Sequence, residues 1–439
     1  MRILLNESLI DKVKELATLD NGFKFKEDKA LYLLNLILCG TNDDDEFEET
    51  GWVSLCSNIL REIVSKDHNK YLDLFVKHQI TSKINYCKQC NECNKFYLIP
   101  HWIEDSKLIE YEITDWNLRK KQKSRIMPSA VKRYKCLWKW FDSDDLTLDV
   151  DSALQEIENL HFNQRKVLAI KNGISNFING NKWFIRHNGD KRLHTNLTNM
   201  KSEVRKHLKF KGEPLVNIDI NSSQIFFLLV LLDKINKNKT KDITEDIHII
   251  SALPPESLDQ SEFQRFKKLV LTGTFYEVLG NKLISDLGNC GIYEKCKYNH
   301  KTNKANYTLY DKPKPLMKPV AFEVIFSKNN QHTKEKSWFK KEFPTIYSII
   351  EKIKEKKYQK LALLLQNIEA TAILDKCIKS INRFDNNIPL FTIHDSIMTT
   401  AEYVDIVKNI MEKEIFNYTG FTPSISIEAY QNISLSNVA

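Results

Sequence analysis

The stretch KGEPLVNIDINSSQIFFLLVLL, residues 211–232, constrains the fold of this chain more than any other. Gly212 and Pro214 punctuate a turn, residues 215–220 read as a buried strand, and the apolar run after Ser222 has helical length. A strand thus ends on a carboxylate, Asp219, and feeds a helix apolar enough to be core. Residues 386–420, NNIPLFTIHDSIMTTAEYVDIVKNIMEKEIFNYTG, repeat that grammar. They read as a strand at 390–393, a tight turn at His394 and Asp395, a second strand, and a helix from about Glu402, so a hairpin carries Asp395 at its tip. PSISIEAY, residues 423–430, is one more strand. Strands separated by long helical stretches make the class α+β, and no internal repeat suggests a solenoid.

A lone ionised carboxylate at the end of an apolar strand is costly unless a cation or a hydrogen-bond network satisfies it. Either aspartate alone reads as a turn or cap residue. Together they suit Mg²⁺, which takes one or two protein carboxylates and is completed by substrate phosphates and waters. A third segment adds to the pair: in KPLMKPVAFEVIFS, residues 314–327, Lys314, Lys318, Phe322 and Phe326 recur every four residues on one helical face. Cations at one end can hold triphosphate oxygens while the rings pack on sugar and base. Pro319 is awkward in a helix interior, so the helix is expected to begin near Lys318.

At this point the chain resembles the family A polymerases and the single-subunit RNA polymerases of phages and mitochondria, from about Arg192 onward. NIDINSSQI with Asp219 looks like the first metal-binding motif, and IHDS with His394 and Asp395 like the second. The helix of Lys314, Lys318, Phe322 and Phe326 is similar to the fingers helix that grips the incoming triphosphate. Arg192 in KRLHTNLTN and Arg205 in SEVRKHL look like the arginines that precede the first aspartate. LLLQNIEATAILDKCIK, with Gln366, resembles the palm helix that touches primer and template. The resemblance implies a right-hand architecture of palm, fingers and thumb: a mainly helical N-terminal region including the thumb at 1–180, palm at 181–235, fingers at 236–360 and palm again at 361–439. It implies two Mg²⁺ ions held by Asp219 and Asp395, nucleoside triphosphates as substrates and primer-template nucleic acid as partner, with any accessory replication proteins unspecified.

The favoured function is template-directed nucleotidyl transfer by a minimal DNA polymerase, since some 180 residues ahead of the palm leave little room for a proofreading exonuclease. The alternative is a single-subunit RNA polymerase or primase-like enzyme, and the distant third a non-catalytic nucleic-acid-binding protein, disfavoured because a binding module needs no carboxylate pair. Departures from the family bear on the sugar. Phe326 and Ser327 stand where Tyr-Gly is usual, Lys314 where an arginine is usual, and His-Asp-Ser replaces the His-Asp-Glu of the DNA polymerases. Phe326 offers no phenolic oxygen to a ribose hydroxyl, which favours dNTPs, with Gln224 or Phe226 as the bulk beside the sugar.

Composition fits this reading without proving it. The chain has 439 residues, of which 42% are hydrophobic and 28% charged, enough for two or three cored units. A net charge of +8 suits a polyanionic partner. Residues 119–139 contain nine Lys or Arg and no Asp or Glu, with Tyr134 and Trp138 interleaved, and Arg125, Lys132 and Arg133 are the candidate backbone contacts. A solvated helix face would look similar. The nine cysteines show no disulfide framework and no signal peptide precedes them, so reduced thiols in a cytoplasmic protein are the simplest expectation. Cys87, Cys90 and Cys93 have the spacing of zinc ligands, yet a structural zinc needs a fourth donor, the nearest being His101, and free thiols are the plainer reading. The apolar runs are too short to span a bilayer.

Overall fold

The computed structural model describes residues 1–40, 51–85, 93–104, 107–123, 125–160, 162–237, 258–299 and 304–429. They form two units, one of Met1–Arg186 with Leu193–Leu215, the other of His187–Arg192 with Val216–Ala429.

In the first unit, strand β1 (Arg2–Asn6) pairs antiparallel with β5 (Leu108–Glu112). The helix Glu27–Cys39 buries Ala30, Leu31, Leu33, Leu34, Ile37 and Leu38 and forms the middle of the core, as a helix apolar on nearly every face must. The side chain of Asn172 finishes β1: its Oδ1 accepts from the Leu4 N–H at 2.9 Å and its Nδ2 donates to the Leu4 carbonyl at 2.9 Å. A strand edge that would otherwise be unpaired in a buried setting is thereby satisfied. A small sheet of order β2-β4-β3 is built from β2 (Trp52–Leu55), β3 (Thr81–Ile84) and β4 (Asn94–Leu98). Two further pairs join β6 (Leu146–Leu148) to β9 (Leu208–Phe210) and β7 (Phe184–Arg186) to β8 (Leu193–Thr195). The expectation of a mainly helical N-terminal region therefore needs correcting. Its strands are three to five residues long, too short for alternation to stand out in the sequence.

Strand β10 (Glu213–Ile220) starts in the first unit. The turn before it, Lys211 and Gly212, has φ of 51° and 83°, the left-handed pair of a type I′ hairpin, which glycine adopts without strain. The strand then enters the second unit, where it pairs antiparallel with β15 (Ile425–Ala429), Asp219 opposite Ser426 and Asn217 opposite Glu428. On its other side lies the hairpin of β13 (Phe391–Ile393) and β14 (Ser396–Thr400), in the order β13-β14-β10. The helix Ser223–Asn236 follows β10 and is buried almost throughout.

Two further helices stand close together. A Cβ on Gly280, in the helix Phe275–Leu287, would run into the backbone carbonyl of Pro313, so the absence of a side chain there lets the helix Pro313–Phe326 approach. The latter begins at Pro313 and carries Pro319 in its interior, not near its first turn as expected. The buried Lys354 ammonium donates to the Val324 carbonyl at 2.8 Å, satisfying one of the helix's last carbonyls where a cation also complements the dipole. Between the two helices, β11 (Tyr293–Asn299) and β12 (Lys304–Tyr310) form a hairpin. Lys295 of the hairpin pairs with Glu323 of the helix at 2.7 Å.

Candidate active site

Asp219 lies one residue from the end of the central strand β10, and Asp395 sits in the two-residue turn between β13 and β14, the hairpin bordering β10. Both are half-buried. Each has a strained neighbour. His394 has φ of 51° in a turn whose first position suits glycine, and Ser222, the N-cap of the helix Ser223–Asn236, is left-handed with φ of 55° and ψ of 41°. Non-glycine residues held in this region cost of order 1 kcal/mol each and cluster where geometry serves a site.

The electrostatics tie the two together. Burial, then the charges of Asp395 and Glu428, push the Asp219 carboxyl up to about 7, while Lys318 pulls the other way. Burial also raises Asp395, against the Ser223 hydroxyl that hydrogen-bonds it, its own backbone N–H, and the charges of Arg192 and Lys318. Two carboxyls held this close resist being ionised together. Ser396 is buried and its hydroxyl donates to the Ile393 carbonyl at 3.1 Å, so it closes the hairpin. Glu428, exposed on β15, brings a third carboxylate charge to bear on Asp219.

Beside Asp395 is a network that the motifs did not announce. Glu369, fully buried on the helix Gln359–Ala370, takes Arg192 Nε at 2.7 Å and Nη2 at 2.6 Å on Oε1, and the Gln224 amide at 2.6 Å on Oε2. Burial pushes Glu369 up to about 8 against Arg192, and the charge of Asp395 adds to the rise. Gln224 keeps its Oε1 buried without a donor. A π-helical stretch, Thr371–Cys377, begins two residues after Glu369, an irregularity frequent at functional sites. The Tyr276 hydroxyl hydrogen-bonds the Ser222 side chain, with burial raising the phenol to about 12.

The structure thus brings together Asp219, Asp395, Lys318, Arg192 and Gln224. Lys314 and Lys318 are exposed, and Phe322 and Phe326 are half-buried with ring centroids 5.5 Å apart, so the four-residue repeat does give one stripe. Gln366 is half-buried three residues before Glu369. Phe226 does not fit a nucleotide-facing role: it is 2% exposed and packs edge-on against Phe227 at 5.2 Å, since the first turn of so apolar a helix is core. Arg205 belongs to the first unit, where its guanidinium donates to the Met200 carbonyl.

The basic stretch is three short helices, Trp116–Lys123, Pro128–Arg133 and Lys135–Phe141, and not one face. Lys132 and Arg133 are exposed, while Arg125 lies over the Trp183 ring at 5.8 Å. Tyr134 is fully buried, and Trp138 packs edge-on against Phe184 at 5.3 Å, so these aromatics hold the fold and leave no free stacking platform. Cys87 and Cys90 lie outside the described residues, and Cys93 is a half-buried free thiol. Among the described residues no group of three or more His, Cys, Asp or Glu is placed to hold a metal, and no helix is long and apolar enough to cross a membrane.

Glu369 carried one sequence signal, an acidic residue amid the apolar turns of LLLQNIEATAIL, which asks for a buried partner. Tyr276 and Glu428 carried none, because each reaches the site only through tertiary packing.

No known protein family matches the chain, and no curated protein does. Among solved structures it is similar to the POL domain of Pol1 from M. smegmatis, determined in complex with DNA primer-template and dNTP, with 11% sequence identity and a TM-score of 0.30. The match covers 71% of this chain and 64% of that one, so the chain spans less than two thirds of that domain's length.

Proposed function

We propose that the chain is a template-directed nucleotidyltransferase, a DNA polymerase in the first instance, with Asp219 and Asp395 as its metal-binding carboxylates. The observation that carries this reading is the pair itself: two half-buried carboxyls from the central strand and the adjoining hairpin tip, both pushed toward protonation and both within the field of Lys318. A divalent cation fits such a pair, because it relieves the repulsion that burial amplifies. When bound, magnesium activates the primer 3′-hydroxyl and neutralises the departing pyrophosphate. The chain's own residues do the rest. Lys318 holds triphosphate oxygens and gives the proton that pyrophosphate takes up, Lys314 adds charge one turn earlier, and Phe322 and Phe326 pack on sugar and base. Ser223 orients the Asp395 carboxylate, and Glu369 fixes Arg192 and Gln224 beside it. Catalysis of this kind is positioning and charge stabilisation.

The sugar preference turns on Gln224. Pinned through its amide by Glu369, it forms a fixed wall beside the sugar and favours dNTPs. Its donorless Oε1 supports a second reading, use of rNTPs, because a ribose hydroxyl would supply the missing hydrogen bond. One assay tests both: extension of a labelled primer on a template with Mg²⁺ and either dNTPs or rNTPs. Extension with dNTPs supports the first reading and extension with rNTPs alone the second. No extension with either, by folded protein, would overturn the reading.

A further inference from the structure

Nucleotidyl transfer leaves unused a pair of thiols in the first unit. Cys56 follows directly on β2 and Cys93 directly precedes β4. The antiparallel register sets Leu55 opposite Asn94, so the two cysteines face each other as the next pair beyond the ladder, and their thiols hydrogen-bond one another. Both are half-buried, and neither is in a disulfide. The backbone N–H groups of Ile59 and Asn58 also hydrogen-bond the Cys56 sulfur and, with the Cys93 thiol, hold it below the ordinary thiol range against burial, while burial and the charge of Cys56 raise Cys93. One sulfur is prepared as a thiolate and its partner waits for a charge that would take its proton's place.

We propose that Cys56 and Cys93 are paired thiolate ligands of a thiophilic divalent cation of the zinc type, which ties the end of β2 to the start of β4. Thiolate sulfur is the donor such cations prefer, and the tetrahedron is completed by further donors or water. N–H groups on a ligating sulfur fix its direction and offset its charge. The need is structural as well: the β2-β4-β3 sheet has strands of four, five and four residues, short enough for a metal clip to matter. Metal binding displaces one proton from each thiol, and no electron is transferred.

The test uses the full-length chain purified without chelator. Bound metal is measured by elemental analysis, and alkylation of each cysteine is followed by mass spectrometry before and after chelator treatment, then again after Co²⁺ is added back. The expected result is stoichiometric zinc, labelling of Cys56 and Cys93 about tenfold slower while metal is bound, and no such protection at the exposed Cys290 and Cys296. The Co²⁺ form should show a sulfur-to-metal charge-transfer band that Cys56→Ser and Cys93→Ser each lose. Should those variants fail to fold, the labelling of wild type still decides. Equal labelling with and without chelator would overturn the proposal, as would a Cys56–Cys93 disulfide in the isolated protein. Neither outcome depends on primer extension.

Discussion

The carboxylate centre of the second unit and the basic stretch of the first are both charged, yet their charges work under opposite conditions. Asp219, Asp395 and Glu369 are held in partial or complete burial, where each is shifted well above its ordinary range. Lys132 and Arg133 are exposed, where salt screens them and single contacts are weak. A buried charge is decided by one or two named partners, and an exposed one by how many like it lie nearby. The first kind leaves a positional signature and the second only a count.

The sharpest way to break this contrast is to remove single charges at the centre. Asp219→Asn and Asp395→Asn should each lower nucleotide incorporation by more than about a thousandfold while primer-template affinity stays near wild type, and Lys318→Ala should cost roughly a hundredfold. Single-turnover kinetics beside a binding titration separates the two effects. Near-normal turnover in either aspartate variant would sink the metal assignment.

Glu369 offers a finer cut. Glu369→Ala leaves Arg192 and the Gln224 amide without their buried partner and should destabilise the protein by about 3 kcal/mol. Glu369→Gln keeps an acceptor and should lie within about 1 kcal/mol of wild type at neutral pH, because a carboxyl pushed up to about 8 is largely protonated there. Denaturant melts of both variants give the comparison, and equal losses would mean that packing alone explains the site.

The pH dependence follows from the same shifts. A carboxyl whose folded pKa is raised contributes stability that is fully present below its unfolded pKa and lost as pH rises through the folded value. Metal-free wild type should therefore lose about 2 kcal/mol between roughly pH 4 and pH 8 through Asp219 and Glu369. Divalent cation should restore stability at the alkaline end, since it binds the ionised pair. Asp219→Asn should flatten the curve and blunt the cation's effect. A wild-type curve that rises over this range would contradict the shifts.

The smallest effect belongs to the basic stretch. Neutralising Lys132, Arg133 and Lys135 together should reduce the salt slope of nucleic-acid binding by roughly 0.9 for each phosphate that these side chains cease to neutralise. Turnover at saturating primer-template should not change. An unaltered slope would leave the stretch as a solvated surface.

The same contrast governs what the sequence could convey. The strands holding both aspartates, the turn at His394 and Asp395, and the four-residue repeat from Lys314 to Phe326 are legible because each is a local pattern of apolar period and turn chemistry. The Glu369 network, the hydroxyl of Tyr276 and the meeting of Cys56 with Cys93 join residues far apart in the chain, and periodicity does not report such pairs. Phe226 illustrates the limit from the other side. Motif spacing places it beside the sugar, but the helix it opens is apolar all round and takes it into the core. The basic stretch was visible as charge, while its break into three helices, with Tyr134 buried, depended on packing.

The central claim is that Asp219 and Asp395 act as one cation-dependent unit for nucleotide transfer. Its most direct test is single-nucleotide incorporation by wild type, Asp219→Asn, Asp395→Asn and the double variant across a Mg²⁺ titration at neutral pH. The account predicts saturable Mg²⁺ dependence for wild type and losses in the double variant no greater than in either single one, as residues acting as a unit require. Losses that multiply, or incorporation that ignores Mg²⁺, would contradict it.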